Sequence, residues 1–521
     1  MTNAAQSSET PAFSFSLAVA SEEAIARLMA DLALLLMPGD TIALSGGLGA
    51  GKTTCARALI RQLAGDPVLD VPSPTFTLIQ SYDLPQFTLL HADLYRITSP
   101  REIDELDLFD NDLRNVRLIE WPEHAGNALP HDRIDIALSH HTGQAPSRRD
   151  VTLTGTGLGA ARVERLSALL RFLNQTEFAD AQRTRLAGDA SSRSYARMTL
   201  PGTGIVPDST ALLMNSPRRP DGPPVYRGKS YSEVVHLAED IAPFVAIAGG
   251  LRDHGFSAPA ILHADFTAGF ILLEDLGLEL FVEGNPPAPI FERYKAAVEM
   301  LAALHHDDLP DHLPVTRGVT YTLPEYDIDA FLTETSLLLD WHIPESGRQI
   351  GEVARAEFDS LWRAALAPVL TARKTWVLRD FHSPNLIWLP QRPDTARVGL
   401  IDFQDALMGP EAYDVASLLQ DARVDVSEEM EITLLTHYVK ERLIRDPDFD
   451  ARSFASAYTV MATQRATKIL GIFARLNRRD GKPAYLRHQP RVWTYLQRAL
   501  AHPALNNLRG WYALYVQPPK M

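Results

Sequence analysis

The feature that most constrains this chain is the glycine-rich segment 45–54, which reads SGGLGAGKTT. It has the spacing G-x-x-x-x-G-K-[ST]. An apolar run, residues 41–44, precedes it, and Cys55, Leu59 and Leu63 follow it with helical spacing. A strand, a glycine-rich turn and a helix in this order predict a phosphate-binding loop. A glycine turn before an ordinary helix is the simpler alternative, but it leaves the full spacing unexplained.

Each part of this loop has a chemical reason. The glycines let consecutive backbone N–H groups point at nucleotide phosphates, and the start of the helix adds a favourable dipole. Lys52 supplies positive charge for the β and γ phosphates, and Thr53 offers a hydroxyl to Mg²⁺. The predicted nucleotide-binding residues of the loop are Gly46, Gly47, Gly49, Ala50, Gly51, Lys52, Thr53 and Thr54.

Two later strands of the first third end in carboxylates, Asp93 and Glu120. The C-terminal end of a strand is where such a site places a further acid beside Mg²⁺. Either acid is a candidate to bind Mg²⁺ or orient water, although each alone also fits a surface strand end. In segment 71–77, two prolines prevent a helix, and Thr75 or Thr77 can present a hydroxyl to a γ-phosphate. A rigid turn explains that segment equally well.

Composition limits the class of protein. A chain of 521 residues predicts more than one domain. It has no apolar run of 18 residues and no basic residue before Arg27, so we expect neither a membrane span nor a signal peptide. A single cysteine excludes an internal disulfide framework. Together these features predict a cytoplasmic protein. The net charge of −15 argues against broad, non-specific nucleic-acid binding.

A second centre lies in the last two thirds, around Asp380. A polar loop carries Asp380 and, five residues on, Asn385, and the apolar run 398–401 then leads to Asp402. Phosphate transfer from ATP to an alcohol needs at least three such residues. One aspartate accepts the hydroxyl proton, and an asparagine and a second aspartate hold Mg²⁺. Asp380 alone would also fit a turn; the spacing of all three residues favours the catalytic interpretation.

Upstream segments fit the same chemistry. Segment 188–195 can cover phosphates through backbone N–H groups and the hydroxyls of Ser191 and Ser192, although it lacks G-x-G-x-x-G. An apolar strand leads to Glu274, and the strand pattern ends just after it. Such a break is suited to a hinge between two lobes, where backbone groups commonly contact adenine. One departure stands out, because residues 211–217 lack the phosphate-binding lysine expected on the third strand.

A basic stripe follows near the C-terminus. Arg465, Lys468 and Arg475 lie within about 80° of one another on a helix of 3.6 residues per turn. The stripe is suited to a substrate carboxylate or phosphate, but an amphipathic helix with solvated charges explains it slightly better. Tyr326 and Trp341 could stack on a sugar ring, although core packing is the simpler use for both.

The first third resembles the TsaE (YjeE) family of P-loop ATPases in the order and spacing of four motifs: the loop, SPTFT at 73–77, HADLYR at 91–96 and EWP at 120–122. That family is needed for threonylcarbamoyladenosine modification of tRNA and works with the TsaD and TsaB proteins. The resemblance implies ATP and Mg²⁺ at Lys52 and Thr53, acidic partners at Asp93 and Glu120, and a switch-like segment with Thr75. It implies only an indirect relation to tRNA.

The rest resembles the aminoglycoside-phosphotransferase kinase-like family in GDASSRSY at 188–195, LLEDLG at 272–277, RDFHSPN at 379–385 and IDFQDA at 401–406. Together with QRATKILG at 464–471, these motif sequences resemble those of the AmgK family. Members of that family are anomeric kinases that act on N-acetylmuramate and N-acetylglucosamine in cell-wall recycling. The resemblance implies a small amino-sugar substrate.

We therefore predict an α/β protein with two domains. Residues 1–158 are expected to form a P-loop sheet with flanking helices, and residues 165–521 a bilobal, protein-kinase-like α+β domain. Residues 161–187, at the joint, are expected to be helical. For the front domain, the alternative is a nucleotide-dependent interaction module in which hydrolysis acts only as a timer. For the back domain, the alternatives are a pseudokinase, favoured by the missing lysine, or a kinase for another alcohol such as an aminoglycoside or choline.

Overall fold

The computed structural model describes residues 12–84, 86–109, 114–140, 148–186, 193–202, 208–219 and 222–519. The chain forms two compact units. One comprises Met1–Pro217 and Leu262–Asp275, and the other comprises Arg218–Ile261 and Leu276–Met521. Within the described ranges, no helix is both long enough and apolar enough to cross a membrane.

The N-terminal segment contains one sheet with helices against it. Its strands are β1 (Phe13–Val19), β2 (Thr41–Ser45), β3 (Ile79–Asp83), β4 (Thr88–Asp93), β5 (Val116–Glu120), β6 (Arg133–His140) and β7 (Arg149–Thr156). Its helices are α1 (Glu22–Ala33), α2 (Lys52–Ala64), α3 (Pro100–Asp104) and α4 (Leu158–Leu173). The strand order is β1-β7-β6-β2-β5-β4-β3. Because β2, β4, β5 and β6 run parallel, their carboxyl ends meet at one edge of the sheet.

Local chemistry explains where these elements begin. The Ser21 hydroxyl accepts a hydrogen bond from the Ala24 N–H at 3.3 Å and so caps α1. The loop between β2 and α2 needs glycine at Gly46, where φ is 138° and a Cβ atom would lie 2.4 Å from the Leu138 carbonyl oxygen. The phosphate-binding loop therefore sits tightly against the end of β6.

The C-terminal segment combines short strands with helices. Its strands are β8 (Gln182–Leu186), β9 (Ser194–Leu200), β10 (Ser209–Asn215), β11 (Pro224–Tyr226), β12 (Lys229–Ser230), β13 (Ile261–Asp265), β14 (Phe270–Glu274), β15 (Val282–Glu283), β16 (Ala288–Pro289), β17 (His312–Thr316), β18 (Val319–Thr322), β19 (Lys374–Val377), β20 (Leu386–Trp388), β21 (Val398–Leu400) and β22 (Leu407–Pro410). Its helices are α5 (Tyr231–Val234), α6 (Ala242–Asp253), α7 (Phe291–His306), α8 (Ile328–Leu337), α9 (Ile343–Glu345), α10 (Glu352–Leu370), α11 (Ala412–Leu419), α12 (Glu428–Arg445), α13 (Ala451–Asp480), α14 (Gln489–Leu500) and α15 (Asn506–Tyr515).

The five-stranded sheet β13-β14-β10-β9-β8 shares a hydrophobic core with the N-terminal segment, in the same compact unit. Ala196 and Met198 of β9 are fully buried in this core together with Leu32 of α1. A buried ion pair crosses it, with Arg183 Nε on β8 lying 2.9 Å from Asp31 Oδ1 on α1. The first sheet of the C-terminal segment therefore packs on the N-terminal helices as part of one core.

The expected helix over 161–187 is only partly correct. Helix α4 ends at Leu173, and the chain turns before β8 begins at Gln182. At this turn the Thr176 hydroxyl donates to the Leu173 carbonyl at 2.9 Å and accepts from the Phe178 N–H at 3.2 Å. Such local side-chain hydrogen bonds compete with helix continuation. The predicted mixed α/β fold is confirmed, whereas the boundary between residues 158 and 165 stays a prediction.

In the second unit, α13 packs closely on α8. A Cβ atom on Gly471 would lie 2.4 Å from the carbonyl carbon of Leu337, so only glycine permits this approach. It brings one face of α13 against α8, where both helices contribute side chains to the centre around Asp380.

Candidate functional site

The phosphate-binding loop encloses Lys52, which is only 5% exposed. Its Nζ atom donates to the carbonyl oxygens of Gly46 at 2.6 Å and Gly47 at 3.0 Å. The same atom lies 3.4 Å from the centroid of the Trp121 ring, a cation–π contact. Burial lowers the pKa of Lys52 below its ordinary value, although nearby carboxylates, Glu120 first among them, oppose that shift. Lys52 is thus held by two carbonyl groups of its own loop and by the Trp121 ring.

Glu120 lies beside this loop because β5 is the parallel neighbour of β2. Its Oε2 atom accepts a hydrogen bond from the Thr53 hydroxyl at 2.8 Å. Its Oε1 atom lies 3.0 Å from Nε2 of His91, and both side chains are buried. The structure therefore joins the predicted residues Thr53 and Glu120 directly, and it adds His91, which the sequence analysis did not single out.

Asp93 lies directly opposite Glu120 in the register of β4 and β5. Its Oδ2 atom accepts hydrogen bonds from the hydroxyls of Ser73 at 2.8 Å and Thr75 at 3.1 Å, and its Oδ1 atom accepts from the Tyr95 N–H at 3.0 Å. The proline-stiffened segment is thus tied to the acid at the end of β4. Thr77 is exposed, so Thr75 is the hydroxyl that this arrangement selects.

The second centre is built from two adjoining turns. The Asn385 side-chain amide donates to the Asp380 carbonyl at 2.9 Å, and the Ile401 N–H donates to the Asn385 carbonyl at 3.1 Å. Asp402 follows with φ 58°, and Gln404 donates to its Oδ1 atom at 3.1 Å. A positive φ is uncommon for a residue other than glycine and is typical of functional sites. These bonds place the turns that carry Asp380, Asn385 and Asp402 next to one another, and the catalytic role of the three residues stays a prediction.

The charge on Asp380 is set by its surroundings. Burial by itself would raise the pKa of this carboxyl, but the positive charge of Lys468 and smaller contributions from His382, Arg379 and Arg465 lower it below its ordinary value. The Asp380 carboxylate is therefore ionised at neutral pH.

A buried ion-pair network surrounds Arg379, the residue before Asp380. Arg379 donates to a carboxylate oxygen of Glu334 on α8 and, at 2.9 Å, to the Val235 carbonyl. Lys468 of α13 lies 2.8 Å from the same carboxylate, and Gln464 donates to its other oxygen at 3.0 Å. Burial would raise the pKa of Glu334, but Lys468 and Arg379 hold it at about 2.

Asp414 at the start of α11 fixes the backbone of the same turn. Its carboxylate accepts hydrogen bonds from the N–H groups of Leu378 at 2.6 Å and Arg379 at 2.9 Å. Burial raises the pKa of Asp414 to about 7, although these two backbone donors oppose the shift. Because Arg379 has φ 70°, the turn is held by contacts from both sides in a conformation that it would rarely adopt alone.

The sheet residues predicted to bind nucleotide are less fully described. Ser191 and Ser192 lie outside the described residues, and Glu274 ends β14. Strand β10 lies where the phosphate-binding lysine would be expected, and it contains none, as the sequence of residues 211–217 already indicated. On the neighbouring strand, Arg197 forms a bidentate pair with Asp275 at 2.5 and 3.1 Å. Ala196 and Met198 are buried in the core, so Arg197, which lies between them in β9, is on the opposite face of the sheet. The alternation of buried and exposed positions along this strand is the sequence signal that could have identified Arg197.

The basic stripe of α13 is divided among three environments. Lys468 pairs with Glu334, Arg465 is buried near the Asp380 turn, and Arg475 lies against Tyr231. The structure therefore contradicts the preferred interpretation of the stripe as solvated charges. Glu334 was missed by the sequence analysis, because α8 also contains an aspartate, two threonines and a serine, so its sequence does not single out this acid.

Oxygen ligands for a cation are present at both centres, from Thr53 and Glu120 in one and from Asn385 and Asp402 in the other. Among the residues that the structure describes, no group of three or more His, Cys, Asp or Glu side chains is arranged to hold a metal ion by itself. A cation at either centre would therefore need further ligands from nucleotide phosphates or water, which is how Mg²⁺ is usually held beside a nucleotide.

Comparison with known proteins finds relatives for both segments. Residues 19–151 match the model of the threonylcarbamoyl adenosine biosynthesis protein TsaE, and residues 182–453 match that of the phosphotransferase enzyme family. An N-acetylmuramate/N-acetylglucosamine kinase of Caulobacter vibrioides is 38% identical over 68% of this chain and 97% of its own length. One from Pseudomonas aeruginosa is 34% identical over 50% of this chain and 74% of its own length.

For the N-terminal segment, a tRNA threonylcarbamoyladenosine biosynthesis protein TsaE of Rickettsia bellii is 41% identical over 23% of this chain and 81% of its own length. Both resemblances noted in the sequence are thereby confirmed. The chain belongs to the TsaE family in its N-terminal segment and to the phosphotransferase enzyme family, as a relative of N-acetylmuramate/N-acetylglucosamine kinases, in its C-terminal segment.

Proposed function

We propose that this protein is a bifunctional enzyme. Its C-terminal part transfers phosphate from ATP to the anomeric hydroxyl of N-acetylmuramate or N-acetylglucosamine, in the recycling of cell-wall sugars. Its N-terminal part hydrolyses ATP in support of threonylcarbamoyladenosine modification of tRNA. The observation that carries the kinase assignment is the junction of Asp380, Asn385 and Asp402 through the bonds between their turns. The names of the relatives support the choice of sugars.

In the kinase reaction, the sugar hydroxyl oxygen forms a bond to the γ-phosphorus, and the bond from that phosphorus to the β–γ bridging oxygen breaks. ADP leaves, and the hydroxyl proton passes to the Asp380 carboxylate. The lowered pKa of Asp380 keeps it ionised for this step. Asn385 and Asp402 would hold Mg²⁺, whose charge offsets that of the phosphates. Arg379 and Asp414 fix the turn that presents the base.

In the ATPase reaction, loop backbone groups and Lys52 would bind the phosphates, and Thr53 and Glu120 would hold Mg²⁺. Asp93 and Thr75 would respond to the γ-phosphate through their shared hydrogen bond. TsaD and TsaB proteins are the proposed partners, tRNA would be involved only through them, and the cytoplasm is the proposed location.

The test is acceptor-dependent ADP release by the full-length protein with N-acetylmuramate, N-acetylglucosamine, an aminoglycoside and choline. Turnover with the amino sugars that is lost in Asp380→Ala and kept in Lys52→Ala would support the kinase assignment. Turnover only with the aminoglycoside or choline, or none above the Lys52-dependent background, would overturn it. For the ATPase, co-purification with TsaD and TsaB that is lost in Lys52→Ala is the expected result.

A further inference from the structure

His91 is a fully buried histidine of the N-terminal sheet, and the proposed ATPase chemistry leaves it without a role. It lies on β4 two residues before Asp93, so both side chains are on the same face of the strand. In the register of β4 and β5, Asp93 lies opposite Glu120, so His91 is one step along that face. This placement brings the side chains of His91 and Glu120 within hydrogen-bond distance.

Each carboxylate oxygen of Glu120 has its own partner. The Oε1 atom lies 3.0 Å from Nε2 of His91, and the Oε2 atom accepts a hydrogen bond from the Thr53 hydroxyl at 2.8 Å. Because a carboxylate oxygen can only accept, Nε2 is the donor of the first bond. The contact with His91 therefore fixes the orientation of the carboxylate and directs Oε2 at Thr53.

The hydrogen bonds of the two strand-end acids differ. In Asp93, Oδ2 accepts from two hydroxyls and Oδ1 from a backbone N–H. In Glu120, Oε2 accepts a single hydrogen bond within the described ranges, so a lone pair is left for a cation. Adjacent ligands of octahedral Mg²⁺ lie about 2.9 Å apart, since each is about 2.05 Å from the ion. The 2.8 Å between Oε2 and the Thr53 hydroxyl oxygen matches that separation.

His91 itself is not suited to be a Mg²⁺ ligand. Mg²⁺ takes oxygen ligands, and Nε2 is already bonded to Glu120. The other ring nitrogen, Nδ1, is buried without a hydrogen-bond partner among the residues that the structure describes. An apolar side chain would fill this place in the core without that cost. The one hydrogen bond that His91 makes is therefore the feature that a role must explain.

We propose that His91 is a positioning residue for Mg²⁺ at the N-terminal centre. Through its bond to Oε1, it keeps the Glu120 carboxylate in the orientation in which Oε2 and the Thr53 hydroxyl face the same cation. The inference rests on the proposed ATPase function and deepens it by assigning a residue that acts on Mg²⁺ through Glu120. Hydrogen-bond partners that orient metal ligands typically contribute about 10- to 100-fold to metal affinity.

The first test measures the Mg²⁺ concentration that gives half-maximal ATP hydrolysis by the full-length protein without sugar. His91→Phe keeps a ring and loses the donor, whereas His91→Gln keeps a side-chain N–H that can donate to Oε1. The exposed His131→Gln is the control. His91→Phe should raise this concentration about 10- to 100-fold and retain most of the turnover at saturating Mg²⁺, and His91→Gln should stay within about threefold.

A binding measurement separates positioning from folding. Titration with a fluorescent ATP analogue, taking the component that Lys52→Ala removes, gives the nucleotide affinity with EDTA and with Mg²⁺. In His91→Phe, the affinity with EDTA should stay within about twofold of wild type, while the gain on adding Mg²⁺ should fall about tenfold or more. Equal losses with EDTA and with Mg²⁺, or an unchanged gain, would overturn the inference.

Failure of the proposed ATPase function would give a different result. A wild type that hydrolyses no more ATP without sugar than Lys52→Ala would overturn the ATPase assignment. The binding titration does not need hydrolysis, so it would still decide whether His91 acts on Mg²⁺ through Glu120.

Discussion

The two nucleotide-related centres of this chain obtain their electrostatic environment in different ways. In the N-terminal centre, Lys52 is held by carbonyl groups of its own loop, within six residues along the chain. In the C-terminal centre, the charges that act on Asp380 include Lys468 on α13, and they are balanced by Glu334 on α8. The first centre is local, whereas the second is assembled from distant parts of the chain.

This difference teaches which features each centre depends on. A glycine-rich loop between a strand and a helix forms its phosphate-binding site from its own backbone groups. Its function is therefore sensitive to a few adjacent residues. The environment of Asp380, the proposed base, instead depends on how α8 and α13 pack, and this packing is permitted by Gly471. Substitutions far from the chemistry should therefore harm the second centre more than the first.

The largest effect is expected when the base itself is changed. Asp380→Asn should lower sugar-dependent ADP release about 1,000-fold, because the amide cannot accept the hydroxyl proton. Hydrolysis by the N-terminal centre should be unchanged. Steady-state assays of both reactions measure this, with exposed Asp394→Asn as the matched control. A loss below about tenfold would mean that another group accepts the proton.

Replacing Lys52, the cation of the N-terminal centre, should impair ATP hydrolysis and leave sugar phosphorylation unchanged. Lys52→Ala should lower ATP hydrolysis in the absence of sugar about 100-fold, because the transition-state charge loses its stabilising cation. Sugar phosphorylation should be unchanged in the same preparation. Arg57→Ala, on the same helix, is the control. A parallel fall in both activities would show that the two centres are coupled.

The next effect concerns stability rather than turnover. Glu334→Gln should lower the free energy of unfolding by about 4 kcal/mol, because it leaves Arg379 and Lys468 buried without a counter-charge. Urea titration at pH 7 measures this, with the exposed Glu357→Gln as the control. An unchanged midpoint of unfolding would show that the network does not stabilise the fold.

The same carboxyl predicts a pH dependence. Its pKa is about 2 in the folded protein, below its ordinary value of 4.5. The stabilisation is therefore complete above pH 4.5 and is lost as pH falls towards 2. The difference between wild type and Glu334→Gln should shrink over that range, and a constant difference would contradict this assignment.

A smaller stability effect is expected in the core shared by the two segments. Arg183→Ala should lower the free energy of unfolding of the first unit by about 3 kcal/mol, because Asp31 loses its buried partner. Burial already raises the pKa of Asp31, so the carboxyl can become neutral, which limits the loss. Thermal inactivation of the ATPase should shift relative to the exposed Arg171→Ala control. No shift would mean that the pair contributes nothing to stability.

The smallest effect should distinguish two neighbouring threonines. Thr75→Ala removes one of the hydrogen bonds to Asp93 while Ser73 keeps another, so ATP hydrolysis should fall about fivefold. Thr77→Ala, at an exposed position, should be neutral. A loss above about 100-fold at Thr75 would mean that its hydroxyl contacts the nucleotide directly.

Patterns along the chain predicted the strands, the loop and the acids at strand ends, because these depend on neighbouring residues. Residues 41–45 and 116–120 form parallel strands, and this arrangement brings Glu120 within hydrogen-bond distance of Thr53. The turn after Leu173 was missed because leucines with helical spacing continue up to that residue, whereas the hydrogen bonds that Thr176 makes beyond it are not visible in a periodic pattern. Glu334 was missed because nothing near it in sequence reveals its two cationic partners.

The sequence by itself determined both families, since each family motif is a short run of residues whose spacing carries the meaning. Only the tertiary structure decided how the basic stripe of α13 is used, with Lys468 in an ion pair and Arg475 against Tyr231. It also decided that β8 to β10 share a core with α1. The physical reason is that burial and charge pairing depend on distance in space, which helical or strand periodicity does not encode.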